Sequence, residues 1–277
     1  MALHVVIGKG KLGVALTESL TRKGEEVRMF SQSTGFSYPN PVGIKPVLEL
    51  NPDYVWCCVG AGSVNECAQN YNRAMLLHVC LPTDLLRLCV PKTKVVLFST
   101  DYVADEMEPW NPKAFNPNLK SLYALSKFTM EQHFNWMARK NATCVRVGNL
   151  YSSRYFPEKS FPMKAIQNSA GKVAVHFPEN EVTPTPVEWL AQYLCDHLKE
   201  LFAFGPMIHH VAPDHSISVL NWARSFMPQK IELLSSGIDP NRPHYSALGC
   251  SLGKVPTWSD LWVQYGRDFT EYAGRVL

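Results

Sequence analysis

Short apolar runs alternate with amphipathic stretches through the first half of the chain. Leu3 to Ile7 is continuously apolar, the pattern of a strand buried on both faces, and Leu12 to Arg22 places Leu12, Val14, Ala15, Leu16 and Leu20 as a helix would, with Gly24 to end it. Glu26 to Phe30 reads as a second strand. The prolines at 39, 41 and 46, with Gly35 and Gly43, mark the stretch that follows as mostly loop. Tyr54 to Val59 predicts a third strand, Asn65 to Cys89 a long helical stretch, and Lys94 to Ser99 a fourth strand; a helix over Asn118 to Arg139 and a fifth strand over Ala142 to Val147 complete the series. Strand alternating with helix predicts an α/β fold with a doubly wound parallel sheet over residues 1–150. From Tyr151 the regularity falls. Val173 to Phe177, a helix over Pro186 to Leu201 and a proline-bearing tail predict a smaller C-terminal substrate lobe over residues 151–277, with some segments returning to the core.

In open sheets of this kind ligands bind beyond the carboxyl ends of the strands, so Gly8 to Gly13, Gly60, Ser99 to Tyr102 and Gly148 to Tyr151 are expected to rim one crevice. The first of these is Gly8-Lys9-Gly10-Lys11-Leu12-Gly13, a G-x-G-x-x-G loop between a strand and a helix. Its glycines allow a tight turn and close approach of backbone to a pyrophosphate, which the helix N-terminus then faces. This is the dinucleotide-binding fingerprint of a Rossmann fold. Sites that prefer NAD end the second strand with an acid that bonds the ribose 2′-hydroxyl. Here Ser31 and Gln32 stand there, with Lys9, Lys11 and Arg28 close in sequence, so NADP(H) is expected to be preferred and NAD(H) accepted.

Tyr123 and Lys127 stand four apart on a helix and project on one face. A phenol with a pKa near 10 is a poor acid-base catalyst at neutral pH, and a neighbouring ammonium lowers that value. Thr100, at the end of the fourth strand, can bond a substrate carbonyl oxygen, with Ser99 beside it as the lesser candidate. Tyr123 then gives that oxygen its proton, and Lys127 holds the nicotinamide ribose.

Composition narrows the class. A formal net charge of +3, with 46% hydrophobic and 18% charged residues, gives no nucleic-acid stripe and no basic membrane patch. No apolar run reaches the roughly 18 residues of a membrane span. The N-terminus lacks a basic region and a cleavage site, so cytoplasmic residence is expected. The eight cysteines include no C-x-x-C pair and read as reduced, mostly buried thiols. No metal site is expected: His209 and His210 diverge on a strand, lack a third ligand, and read as a surface or partly buried pair. Trp56, Tyr102 and Trp110 are aromatics that could border the crevice or fill the core, and Trp258 and Trp262 read as one helical face packed on the body.

Phe98-Ser99-Thr100-Asp101-Tyr102-Val103-Ala104-Asp105, followed by Tyr123 to Lys127 and Glu131, resembles the extended short-chain dehydrogenase/reductase superfamily, and within it the dTDP-4-dehydrorhamnose reductase family. Asn51-Pro52-Asp53, Thr183-Pro184-Thr185 before Leu190-Ala191, and Arg242-Pro243 with Ser246 and Leu248 are similar to that family too. The resemblance implies NADPH-dependent reduction of the 4-keto group of a nucleotide-linked deoxysugar, with Thr100, Tyr123 and Lys127 in the roles above. It implies a C-terminal lobe closing over the substrate, contacts from Asp101, Tyr102 and Asn149, and Arg242 on the diphosphate. A second copy of the chain is the partner expected where it assembles.

The chain departs from that family at several points. Its glycine loop is shorter than the family's G-x-x-G-x-x-G, and Cys80 stands where the family has an asparagine in the long helix. After the fifth strand Asn149 and Arg154 resemble sugar-nucleotide epimerases, which gives a second reading with tightly held NAD. A third is a non-catalytic NADP-binding regulatory subunit similar to the beta subunit of methionine adenosyltransferase. Tyr102, in the position of a dehydratase acid, argues against elimination of water.

Overall fold

The computed structural model describes residues 1–277 except 40, 105, 109–110, 117–118 and 138, and the side chains of 41 and 42. The first half runs β1 (Leu3–Ile7), α1 (Lys11–Arg22), β2 (Glu26–Phe30), α2 (Pro41–Glu49), β3 (Tyr54–Cys57), α3 (Val64–Gln69), α4 (Tyr71–Met75), α5 (Leu81–Leu88), β4 (Lys94–Thr100), α6 (Leu122–Met137) and β5 (Ala142–Val147). The second half adds β6 (Leu150–Tyr151), α7 (Phe161–Ser169), β7 (Ala174–Phe177), β8 (Glu181–Val182), β9 (Thr185–Pro186), α8 (Val187–Asp196) and β10 (Met207–His210). It closes with β11 (Ile217–Ser218), α9 (Val219–Arg224), β12 (Glu232–Ser235), β13 (Tyr245–Ser246), α10 (Trp258–Tyr265) and α11 (Arg267–Val276).

Six strands form one parallel sheet in the order β10-β5-β4-β3-β1-β2. Alternation along each strand supplies both faces. Val5, Ile7, Val55, Val95 and Leu97 pack against Leu85 of α5 and Met130 and Phe134 of α6. Val6, Trp56, Val96 and Phe98 pack against Leu16 and Leu20 of α1 and Leu190 and Leu194 of α8. Each such fully buried leucine contributes on the order of 2 kcal/mol. The doubly wound α/β expectation holds, and β10, late in the chain, pairs with β5 at the sheet edge. A separate apolar cluster around Tyr151, Trp222, Phe226, Trp262 and Phe269 supports the smaller sheets and the C-terminal helices. No helix among the described residues is long and apolar enough to cross a membrane.

Several expectations need correction. The stretch 31–50 contains α2, because Pro41 occupies a first-turn position where its missing N–H costs nothing, and Ile44 and Val47 bury against the sheet. The stretch 65–89 is not one helix. Asn70 (φ −139°, ψ 74°) ends α3 and caps α4 through a bond from the Arg73 N–H, and residues 76–80 form a π-helical turn before α5. α6 begins at Leu122; the expected start at Asn118 lies outside the described residues, as do Asp105 and Trp110. Trp56 is fully buried in the sheet core, and His209 and His210 are both buried rather than at the surface. Cys80 is exposed.

The strand order reverses at β1, with β2 on one side of it and β3 on the other, and this switch point is where such sheets bind ligands. Gly8, at φ +112°, sits where a Cβ would lie 2.8 Å from the Cys58 carbonyl carbon, and a Cβ on Gly13 would lie 1.9 Å from the Gly8 oxygen. The loop after β1 therefore nests against both α1 and the loop after β3, as only glycine allows.

Candidate active site

Gly10 caps α1 with extended backbone and no side-chain bond, and the first intrahelical bond runs from the Val14 N–H to the Gly10 oxygen at 3.0 Å. The N–H groups of Lys11, Leu12 and Gly13 thus begin the helix without intrahelical acceptors, next to open space at Gly10. With the helix dipole they form a site for phosphate. The Leu12 side chain is buried in the core, so only its backbone faces that site.

Two pockets flank the loop. The first, about 330 Å³, is lined by Gly8, Lys9, Ser31, Gln32, Tyr38, Gly60 and Arg73 among others. It has hydroxyl and amide groups and two cations and no carboxylate among its lining residues, which fits a ribose carrying a 2′-phosphate. Of the three cations nearest in sequence only Lys9 lines this pocket. Arg28 is exposed and paired with Glu26 at 2.9 Å, and the Lys11 ammonium turns away to donate to the carbonyls of Leu150 (2.7 Å) and Lys159 (3.2 Å). The second cation lining the pocket is Arg73, on α4, and no signal in the sequence near the glycine loop points to it.

The second pocket, about 420 Å³, gathers Lys11, Thr100, Asp101, Tyr102, Tyr123, Asn149 and Arg242. Thr100 ends β4, and its hydroxyl donates to Asp101 Oδ1 at 2.8 Å. Asn149 Nδ2 donates to Asp101 Oδ2 at 3.3 Å. Burial pushes the Asp101 carboxyl up to about 6, against hydrogen bonds from Thr100 and Ser246 and the charge of Arg242. Arg242 lies 6.0 Å from the Tyr102 ring and 3.5 Å from Asp239. Tyr102 and Tyr123 meet edge to face at 5.6 Å. Lys11 is also mostly buried, which with Lys164 nearby lowers its pKa to about 8.

The phenol of Tyr123 is not depressed. Burial pushes it up to about 12, outweighing its hydrogen bond with the Thr100 hydroxyl, and the Asp101 charge adds to the rise. Lys127 is buried on the same helix face, but its ammonium donates to the Phe98 carbonyl at 2.9 Å and has no other acceptor among the described residues. Burial lowers its pKa. A buried ammonium with one acceptor is a strong donor awaiting oxygen ligands, and the hydroxyls of a nicotinamide ribose fit that need. Ser99 does not line either pocket; its hydroxyl is buried without a partner among the described residues. Arg154 pairs with Glu18 of α1 at 2.7 Å and stays outside the pocket that Asn149 enters. Tyr151 is buried in the lobe. No group of three or more metal-ligating side chains occurs among the described residues.

A model of the RmlD substrate binding domain family matches residues 1–250. No curated protein matches the sequence. Among solved structures, the chain is similar to a dTDP-4-dehydrorhamnose reductase from Bacillus anthracis in complex with NADP, at 20% identity and a TM-score of 0.81 over 97% of this chain and 99% of that one. It is similar to a dTDP-4-dehydrorhamnose reductase ortholog from Clostridium acetobutylicum, at 20% identity and a TM-score of 0.82 over 96% and 98%. A UDP-glucose 4-epimerase from Thermus thermophilus in complex with NAD follows at 17% identity and a TM-score of 0.68 over 95% and 92%. At these identities the likeness is one of fold.

Proposed function

Because the chain belongs to the RmlD substrate binding domain family, we infer that it is an NADPH-dependent reductase of the 4-keto group of a nucleotide-linked deoxysugar, dTDP-4-dehydrorhamnose being the first substrate to try. The observation that carries this reading is the convergence of Thr100, Tyr123 and Asn149 on one cavity that adjoins the glycine loop and a cation-flanked pocket.

NADPH supplies the hydride when bound. Gly8, Gly10 and the start of α1 would hold its pyrophosphate, Ser31, Lys9 and Arg73 its adenosine end, and Lys127 its nicotinamide ribose. The substrate carbonyl lies between Thr100 and Tyr123. There the Thr100 hydroxyl rotates from Asp101 to the carbonyl oxygen, and Tyr123 gives up its phenolic proton as charge develops on that oxygen. A phenol held near 12 is fully protonated at neutral pH and still far more acidic than the alcohol it makes, so the transfer runs downhill. The Thr100 hydroxyl can then donate to the phenolate until solvent restores the proton. Asn149 and Tyr102 orient the sugar, and Arg242, open to the cavity, meets the diphosphate as a bidentate donor.

Absorbance of NADPH followed with dTDP- and UDP-4-keto-6-deoxyglucose tests this reading. One NADPH consumed per product is expected for a reductase; turnover that needs no net NADPH would favour an epimerase. No turnover, together with capture of a stoichiometric heterologous partner, would favour the regulatory-subunit reading.

A further inference from the structure

His78 lines neither pocket, yet it bonds to the loop between them and to the helix that carries Tyr123. It sits in the π-helical turn 76–80, buried, while Cys80 two residues on is exposed. A π-turn shifts the facing of residues relative to a regular helix, and such turns occur often at functional sites.

The Ala61 N–H donates to His78 Nε2 at 3.0 Å. Nε2 is therefore the acceptor, the ring proton sits on Nδ1, and Nδ1 donates to Ser126 Oγ at 2.8 Å. Ser126 Oγ in turn donates to the Tyr123 carbonyl at 2.8 Å. The imidazole edge also meets the Tyr123 ring at 5.7 Å and 81°. Burial, with the Lys127 ammonium adding to it, holds the imidazole neutral by lowering its pKa to about 2, and the Ala61 N–H fixes the tautomer. Ala61 stands between Gly60, in the adenosine-side pocket, and Gly62, in the reaction cavity.

We propose that His78 is a positioning residue that clamps the loop after β3 to the first turns of α6, so that one imidazole sets both the seating of the dinucleotide and the placement of the Tyr123 phenol. The proposal rests on the reductase reading for its kinetic arm and on nucleotide binding alone for its other arm.

Three variants test it: His78→Phe keeps a ring against Tyr123 but breaks both bonds, Ser126→Ala breaks only the link to α6, and His78→Asn supplies a shorter acceptor and donor. NADPH affinity is read by fluorescence titration, kcat and KM by NADPH absorbance, and folding by thermal denaturation. His78→Phe is expected to weaken NADPH about tenfold and lower kcat at least tenfold, with KM for the sugar nucleotide within twofold. Ser126→Ala is expected to lower kcat while NADPH affinity stays within twofold, and His78→Asn to regain most of the NADPH affinity. A folded His78→Phe protein with both quantities within twofold of wild type overturns the proposal. So does a Ser126→Ala protein that loses NADPH affinity as fully as His78→Phe, since the two halves of the clamp would then be one. If His78→Phe fails to fold, Ser126→Ala decides: a lowered kcat with NADPH affinity within twofold of wild type supports the clamp, and an unchanged kcat or a tenfold loss of NADPH affinity overturns it. If wild type turns over no sugar nucleotide, the reductase reading fails while the NADPH affinities still judge the clamp.

Discussion

Replacing Asp101 with asparagine removes one titration while keeping a side chain of the same shape between Thr100 and Asn149. In the folded protein burial raises this carboxyl from its ordinary 3.8 to about 6. The neutral form is thus favoured by folding, and the sign follows: stability tied to this group is fully present below the unfolded pKa and is lost as pH rises through the folded one. At about 1.4 kcal/mol for each tenfold change in proton affinity, the loss comes to about 3 kcal/mol. Asp101 is almost fully buried, so solvent screening takes little from that figure. Urea denaturation of wild type and Asp101→Asn between pH 3.5 and pH 7.5 measures it, because every other titration cancels in the difference. Wild-type stability should fall relative to the variant by about 3 kcal/mol between about pH 4 and pH 6 and hold level above that. A difference that does not change with pH, or that moves in wild type's favour as pH rises, would refute the reasoning. It would mean that Arg242 and the hydrogen bonds from Thr100 and Ser246 outweigh burial.

The remaining expectations use the same geometry. Tyr123→Phe should lose at least a hundredfold in kcat by NADPH absorbance while NADPH affinity stays within a few-fold, because only the proton donor is removed. Arg73→Ala and Lys9→Ala should each weaken NADPH about tenfold by fluorescence titration and leave NADH nearly unchanged, while equal losses for the two nucleotides would remove both residues from the 2′-phosphate. Glu131→Ala strands the buried Arg146, which Glu131 holds through two bonds at 2.8 and 2.9 Å, and should cost about 3–5 kcal/mol in urea denaturation. Gly13→Ala forces a methyl group against the Gly8 oxygen and should abolish NADPH binding in a protein whose lobe still folds.

β1, β2 and β5 match their expected limits residue for residue: β1 as a continuous apolar run, β5 as a strand buried along its whole length, and β2 as a half-buried edge strand bounded by Gly24 and the Ser31 turn. Where local chemistry competed with packing the reading failed. Proline density hid α2, although its first-turn Pro41 and the buried Ile44 and Val47 make it a helix. A period of 3.6 cannot register a π-turn, so the stretch 65–89 looked continuous. Nearness in sequence placed Lys9 but not the other cations, because it carries no direction: Lys11 points to the Leu150 carbonyl, Arg28 to Glu26, and Arg73 arrives from another helix. Tyr123 and Lys127 share a face as their spacing requires. The state of the phenol was not legible, because it depends on the burial that raises it and on Lys127 bonding to Phe98 rather than to the tyrosine.

Hydride delivery to the sugar is the centre of the account, and isotope transfer tests it most directly. NADPH carrying deuterium at both C4 positions of the nicotinamide is incubated with the protein and dTDP-4-dehydrorhamnose, and the product is examined by mass spectrometry and NMR. The account predicts one deuterium on sugar C4 per NADPH oxidised, with the label abolished in Tyr123→Phe. Product formed without label, or NADPH bound and never oxidised across the 4-keto sugar nucleotides, would contradict it.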